Sequence, residues 1–482
     1  MSENENKSMK TKVFANLFWK FAERITAQIV TLVVSIVLAR LLMPEDYGAV
    51  ALIMVFITIA NVFVSNGLGN ALIQKIDADK VDFSSVFIVN LLISFLIYGI
   101  LFFTAPYIAR FYGMEILCPA LRVLAIRIPV AAVNSVQHAY VSREMLFRRF
   151  FWSTLFGTVV SGVAGVILAY HGFGIWALVA QYLINTCVDT VVLFFTVDWR
   201  PQLLFSWSKT KKLIYYGWKL LASALLDTGY AQLRNLLIGK LYSSSDLAYY
   251  NQGDKYPALI VNNINASISS VLFPALSQYQ NDKEKVKMMT RRAIQVSSYI
   301  MWPLMVGLGV IAEPLVSLIL TDKWLPCVPY LRIFCFTYGL WPVHTANIQA
   351  INALGRSDLF LRIEVIKKCI GMIALLVSLP FGPIAVAASL IVTGITSTFI
   401  NSAPNRKLLK YGFREQFEDM LPPLILSAVM GAIVYPIGLL HMSEMIALAI
   451  QIIAGIIVYA LGSILTKQKG YLFCVDVIKK RK

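Results

Sequence analysis

The run SSVFIVNLLISFLIYGILFFTA, residues 84–105, is 22 residues long and contains no Asp, Glu, Lys, Arg or His. As a helix rising 1.5 Å per residue it reaches about 33 Å, enough to cross roughly 30 Å of hydrocarbon. Backbone groups at that depth must bond within their own segment, so the run predicts a transmembrane helix. Similar runs recur on both sides of it, separated by polar, basic or Gly/Pro clusters, and predict about 14 spans. They lie near residues 14–41, 47–70, 84–105, 119–138, 151–170, 175–197, 218–241, 247–275, 294–320, 328–352, 363–381, 384–403, 421–440 and 445–466. Composition points the same way: 58% of the 482 residues are hydrophobic and 14% charged, with a mean hydropathy of +0.69. These values exclude large soluble domains and predict an all-α polytopic membrane protein.

The formal charge of +17 suits either a nucleic-acid partner or basic cytoplasmic loops, so its distribution decides. Of the 43 Lys and Arg, about 32 fall in the tails and alternate loops, and about four on the other face. The basic loops hold Arg143, Arg148, Arg149, Lys209, Lys211, Lys212, Lys283, Lys285, Lys287, Arg291 and Arg292. The positive-inside rule then puts both termini in the cytoplasm, as an even number of spans requires. Nucleic acid is thereby excluded as a partner. The tail Lys479-Lys480-Arg481-Lys482 reads as a solvated end or an anionic-lipid contact. Six scattered cysteines show no CxxC or zinc-ligand spacing, and the polar first thirteen residues do not form a signal peptide. GxxxxGK[ST], HExxH and GxSxG are all missing, and the outer loops are too short to hold a catalytic site. No enzyme activity and no cofactor are expected.

Residues recur between the two halves. Trp19-Lys20 opens a helix ending Ala39-Arg40-Leu41 before Asp46, and Trp218-Lys219 opens one ending Gly239-Lys240-Leu241 before Asp246. Pro119-Ala120-Leu121-Arg122 matches Pro329-Tyr330-Leu331-Arg332. Pro129-Val130, Asn134, Arg143, Leu146-Phe147 and Arg149 match Pro342-Val343, Asn347, Arg356, Leu359-Phe360 and Arg362, all 213 residues apart. Six spans per repeat give both halves the same orientation, a parallel repeat of the kind transporters rock about a membrane-normal axis. The chain divides into a tail (1–13), a six-helix lobe (14–200), a linker (201–217), a second six-helix lobe (218–404), two further helices (405–466) and a basic tail (467–482).

Seven basic residues fall inside spans: Lys20, Arg24, Arg122, Arg127, Arg234, Lys255 and Arg332. Charge at membrane depth costs several kcal/mol unless paired or wet, which makes each a functional candidate. The acidic residues Glu23, Asp189, Asp227 and Asp254 are fewer, and an uncompensated basic cavity favours an anionic ligand. Polar stripes at helical spacing support a cavity: Lys20, Arg24, Gln28, Thr31, Ser35; Thr58, Asn61, Ser65; Ser223, Asp227, Tyr230, Arg234; and Asn251, Lys255, Asn262, Asn265, Ser269. The competing readings are an interfacial belt for Lys20, Glu23 and Arg24, snorkelling for Arg122 and Arg332, and interhelical bonding for the rest. His344 beside Pro342 reads as a packed polar residue.

The run Leu38-Ala39-Arg40-Leu41-Leu42-Met43-Pro44-Glu45-Asp46-Tyr47-Gly48, followed by Gly67-Leu68-Gly69-Asn70-Ala71-Leu72-Ile73-Gln74, resembles the polysaccharide transporter (Wzx-type) family. Trp19-Lys20, Arg122, Gly253-Asp254-Lys255 and Phe273-Pro274-Ala275-Leu276 extend the likeness over nearly the whole chain, closest to the colanic-acid and exopolysaccharide branch. That family belongs to the multidrug/oligosaccharidyl-lipid/polysaccharide (MOP) superfamily. The resemblance implies two pseudo-symmetric six-helix lobes around a central cavity, two C-terminal helices, and an inner-membrane flippase for undecaprenyl-pyrophosphate-linked oligosaccharide. Membrane lipids, a polysaccharide polymerase and chain-length machinery are the implied partners. It assigns Arg24, Arg127, Arg234 and Lys255, with Lys20, Arg122 and Arg332, to the pyrophosphate, and Asn61, Tyr230, Asn262 and Asn265 to the glycan. Glu23, Asp227 and Asp254 become candidates for exchanging a proton or sodium ion. Alternatives are a drug or organic-cation antiporter, a peptidoglycan-precursor flippase, and a membrane glycan polymerase or ligase using Arg110, Asp322 or Lys323.

Overall fold

The computed structural model describes residues 3–65, 69, 72–73, 75, 77–202, 204–440 and 442–479, with their side chains except at 3–18, 20–21, 212, 216 and 477–478. The side chain of Lys20 and most of the Gly67–Gln74 motif lie outside the described residues. The first nine helices are α1 (Glu3–Leu41), α2 (Pro44–Ser65), α3 (Lys80–Tyr112), α4 (Leu117–Leu124), α5 (Arg127–Arg143), α6 (Phe147–Tyr170), α7 (Ile175–Thr196), α8 (Trp207–Leu241) and α9 (Ser244–Ser277). Nine more follow: α10 (Lys283–Val310), α11 (Ala312–Leu320), α12 (Val328–Gly339), α13 (Trp341–Ala353), α14 (Ser357–Ser378), α15 (Pro383–Leu408), α16 (Phe413–Val434), α17 (Glu444–Leu465) and α18 (Lys469–Lys479). No strand occurs among the described residues.

Among the described residues, eleven helices or helix pairs are long and apolar enough to cross a bilayer. The other three expected spans, α8, α12 with α13, and α14, are helical too, and α14 carries charges such as Glu364, Lys367 and Lys368. The chain is a multi-pass membrane protein. Several helices start well before their apolar part: α1 at Glu3, α8 at Trp207, α10 at Lys283. Hydropathy marks only what lies in lipid, and no Gly or Pro stops these helices at the surface.

Proline sets the breaks. The fourth expected span divides at Ala125-Ile126 and the tenth at Leu340. Pro129 and Pro342 fall in the first turn of α5 and α13, where a missing N–H leaves no bond unmade. Pro314 does the same in α11, dividing the ninth span at Ile311. Inside a helix, proline instead strands the carbonyl four residues earlier. Pro106 strands that of Phe102, and Arg122 Nε donates to it at 3.1 Å. Pro303 strands that of Tyr299, and the Tyr459 hydroxyl donates to it at 2.7 Å.

By packing, the chain divides into two units, Met1–Ala248 and Tyr249–Lys482. In the first, α6 lies against α1 and α7, and a Cβ at Gly162 would come within 2.4 Å of the Val34 side chain. Small residues at such points let helix backbones approach closely. A core of Phe83, Val86, Val136, Phe150, Leu193 and Trp199 closes one end. There Lys209 Nζ meets Asp79 Oδ2 at 2.5 Å, and this ammonium holds the Asp79 carboxyl down to about 2. Leu92, Leu96, Phe103 and Tyr107 form an exposed α3 stripe, each more than 60% accessible, as a lipid-facing surface requires.

The outer half of α8 packs on α2 and α3 in this same unit. Gly239 faces Leu52, Lys240 Nζ donates to the Phe111 carbonyl, and Ser245 Oγ donates to Glu45 Oε1 at 2.7 Å. Asp46 accepts from the Met43 N–H and Asp246 from the Ser243 N–H, so both repeats cap the start of their second helix alike. A Cβ at Gly48 would lie 1.8 Å from the Ser244 carbonyl oxygen.

In the second unit α10 is central, touching α12, α13, α16 and α18. Ile294, Trp302, Val343, Ala346, Ala350 and Tyr411 form its main core, and Met430, Val434 and Tyr459 a second one. Asn347 is fully buried and bonded to Asn405 and Gln416. Its repeat partner Asn134 is bonded to Asp189 and Thr190 of α7.

Candidate functional site

The first unit holds a ladder of polar side chains between α5 and α7. Arg127 Nε donates to Thr186 Oγ1 at 2.7 Å, with its guanidinium 5.9 Å from the Tyr182 ring centroid. Two turns on, Asn134 Nδ2 donates to Asp189 Oδ2 at 3.0 Å, and His138 Nε2 lies 3.1 Å from the same oxygen. His138 also stacks on Phe150 at 4.8 Å. Arg127, Asn134 and His138 share one face of α5 because they are seven and four residues apart. Sequence reading picked Arg127 and missed His138 as a partner of Asp189: 51 residues separate the pair, and periodicity reports only neighbours on one helix.

Other picks are also engaged by protein groups. Glu23 accepts from Thr154 Oγ1 at 3.2 Å. Arg122 caps the Phe102 carbonyl and lies 4.3 Å over that ring. Its repeat partner Arg332 donates from Nε to the Gly309 carbonyl at 3.1 Å, one of the last, unpaired carbonyls of α10, and approaches Glu313 at 3.7 Å. Both arginines therefore satisfy backbone carbonyls left over by a proline or a helix end. Arg122→Ala should cost about 1–3 kcal/mol, because the Phe102 carbonyl loses its donor. Adding Pro106→Ala supplies an N–H to that carbonyl and should recover most of the loss in thermal melts of the purified double variant. An equal loss in both backgrounds would mean that Arg122 acts elsewhere.

A second group is buried without such partners. Arg234 is 7% exposed, and its Nε has no hydrogen-bond partner among the described residues. The same holds for Asn61 Oδ1 and for both amide atoms of the buried Asn265. Native proteins rarely leave such atoms orphaned, and a ligand is one way to satisfy them. Arg24, Asp227 and Asn262 are exposed and Tyr230 is half-buried. In the second unit, Gly253 brings α9 against α12, where a Cβ would meet Tyr330 Cβ at 2.6 Å. That approach lets Tyr338 of α12 donate its hydroxyl to Asp254 Oδ1. Lys255 is the next residue on α9 and is half-buried. His344 bonds Thr398 Oγ1 at 2.9 Å, as a packed polar residue does.

Beside these sites the second unit contains an apolar cavity of about 520 Å³ along α10, α16 and α17, lined by Leu304, Leu308, Met430, Gly455, Ile456 and Tyr459 among others. Residues 37–329, more than half of the chain, match the family described as polysaccharide biosynthesis protein. The chain belongs to that family. This polysaccharide biosynthesis protein is 24% identical over 460 residues to the succinoglycan biosynthesis transport protein ExoT of Rhizobium meliloti (strain 1021), covering 92% of this chain and 91% of that one. It is 25% identical over 413 residues to the teichuronic acid biosynthesis protein TuaB of Bacillus subtilis (strain 168), covering 83% and 84%. Its fold matches the lipid II flippase MurJ in an inward closed conformation with a TM-score of 0.76 at 17% identity, over 96% of this chain and 100% of that one. The all-α fold is thus shared with MurJ and, at a TM-score of 0.65 and 15% identity, with a multidrug resistance MATE family transporter in an inward-facing conformation.

Proposed function

We propose that this protein flips a polyprenyl-pyrophosphate-linked oligosaccharide across the bacterial inner membrane by alternating access, for assembly of an exopolysaccharide, capsule or O-antigen type of polymer. The observation that carries this is the set of buried polar atoms without protein partners: Arg234 Nε, Asn61 Oδ1 and the Asn265 amide. In the first unit Arg234 suits pyrophosphate oxygens and Asn61 glycan hydroxyls, and in the second unit Lys255 and Asn265 offer the same two kinds of group. Arg127, bonded through Nε to Thr186 and through Nη1 to Met54 Sδ, keeps its Nη2 N–H groups for a phosphate oxygen. A cationic drug would instead require acidic groups in excess, which these spans lack. The two curated relatives carry succinoglycan and teichuronic acid in their names, both in keeping with a sugar-polymer substrate. The apolar cavity on α16 and α17 suits the lipid tail, and Asp254, held by Tyr338, suits an exchanged proton or sodium ion.

The test is the lipid-linked oligosaccharide pool in a strain lacking the gene. Complete repeat units should accumulate on the cytoplasmic side with loss of surface polymer, and the wild-type gene should reverse both. Arg234→Ala combined with Lys255→Ala, expressed at wild-type level, should fail to complement. Normal arrival of repeat units in the periplasm without the gene would sink the reading. Lethality with depleted peptidoglycan would move the substrate to the peptidoglycan precursor.

A further inference from the structure

After the last span the chain turns at Lys467, which has φ 49°, and enters α18. One side of α18 is docked. A Cβ at Gly470 would come within 2.5 Å of Tyr299 Cβ, and Lys469 Nζ lies 3.8 Å from Asp419. The other side is open: Leu472 is 46% and Phe473 39% accessible. Exposed cations surround these two apolar side chains. They are Lys467, Lys469 and Lys479 on the segment itself, and Arg292 of α10, whose guanidinium lies 6.0 Å from the Phe473 ring centroid. Residues 467–482 carry six basic groups against the single acid Asp476.

The depth of this surface identifies its partner. α18 rests on α10 between Arg292 and Tyr299. There α10 passes from its basic stretch, Lys283 to Arg292, into its apolar stretch. That passage marks the water–lipid boundary on the basic, cytoplasmic face. An amphipathic helix at this level sets apolar side chains among acyl chains and cations at phosphate depth. Because its docked side already orders it, little conformational entropy remains to be lost when lipid binds. We infer that α18 and Arg292 form a binding surface for anionic phospholipid headgroups of the cytoplasmic leaflet.

The experiment uses the full chain, delipidated in detergent and offered equimolar phosphatidylglycerol and phosphatidylcholine, with bound lipid counted by native mass spectrometry. The wild type should prefer phosphatidylglycerol by about tenfold or more at low salt, as several interfacial cations acting together imply. Combined Arg292→Gln, Lys467→Gln, Lys469→Gln and Lys479→Gln should bring the preference near unity, while Lys283→Gln with Lys285→Gln should leave it unchanged. A phosphatidylglycerol carrying a photoreactive headgroup, added to the wild type, should label residues 467–479, which tests the surface even where the fourfold variant does not fold. No preference in the wild type, a preference that survives the fourfold change, or labelling confined to other segments overturns the inference.

Discussion

Gly48→Ala should abolish most transport and lower the melting temperature, although it adds a single methyl group. The new Cβ would lie 1.8, 2.4 and 2.9 Å from the carbonyl oxygen, carbonyl carbon and Cα of Ser244. All three are backbone atoms at the start of α9, so no side-chain rotation relieves the clash. The turn between α8 and α9 must move away from α2 by more than 1 Å to restore ordinary van der Waals separation. Moving it strains the Ser245–Glu45 hydrogen bond, the Lys240 contact with the Phe111 carbonyl and the packing of Gly239 on Leu52. Overpacking usually costs about 1–3 kcal/mol, and a backbone obstacle puts this case at or above the upper end. Surface polymer should fall at least about tenfold, a change corresponding to 1.4 kcal/mol in an equilibrium. Gly99→Ala is the matched control: nothing lies within 4 Å of its Cβ position, and α3 should tolerate it or gain slightly. If Gly48→Ala exports and melts like the wild type, the approach of α2 to Ser244 is looser than 1.8 Å implies.

That contact also shows what a sequence does and does not reveal. The two turns were recognisable as equivalent, since Asp46 and Asp246 stand at the same place in the repeat and cap their helices in the same way. Their apposition was not, because no periodicity within either helix encodes a partner about 200 residues away. The same division runs through the candidate site. Long charge-free runs mark spans by transfer free energy alone, and the 213-residue offset of Pro129 and Pro342 marked the repeat but not the matching helix breaks, since both spans read as continuous. Charge at membrane depth was visible too, but not its use. Arg122 and Arg234 both read as cations within spans, with snorkelling and interhelical bonding as their respective alternatives; one serves a carbonyl freed by Pro106 and the other is buried with Nε unpartnered among the described residues. His138 drew no attention because its function depends on Asp189 across the α5–α7 seam.

Asp419→Ala should destabilise the second unit. The carboxylate is 1% exposed and saturated with donors. Arg291 Nε approaches Oδ2 at 2.7 Å, and Arg291 Nη2 donates to Oδ1 at 2.9 Å. Gln295 Nε2 donates to Oδ1 at 2.6 Å, and the Tyr411 hydroxyl donates to Oδ2 at 2.9 Å. One side chain of α16 thus fixes two positions on α10 and the loop at Tyr411, with Lys469 of α18 nearby at 3.8 Å. Removing it leaves an uncompensated guanidinium and two polar groups with no acceptor. Breaking a fully buried pair by deleting one partner costs about 3–5 kcal/mol, and an exposed pair is worth roughly 0–1 kcal/mol. The Arg291 side chain is 38% exposed, so water screens the guanidinium left behind and the loss should fall between the two. Asp419→Asn keeps the shape but not the charge, and its amide N–H group faces donors instead of accepting from them, so it should recover only part of the loss. The discriminating variant is Asp419→Ala with Arg291→Met. If the cost comes from the stranded guanidinium, the double variant should be more stable than Asp419→Ala alone, and thermal melts in detergent should rank wild type, double variant and single variant in that order. A double variant that melts below the single would locate the stabilisation in the bonds from Gln295 and Tyr411 and in the lost packing of the Arg291 stem.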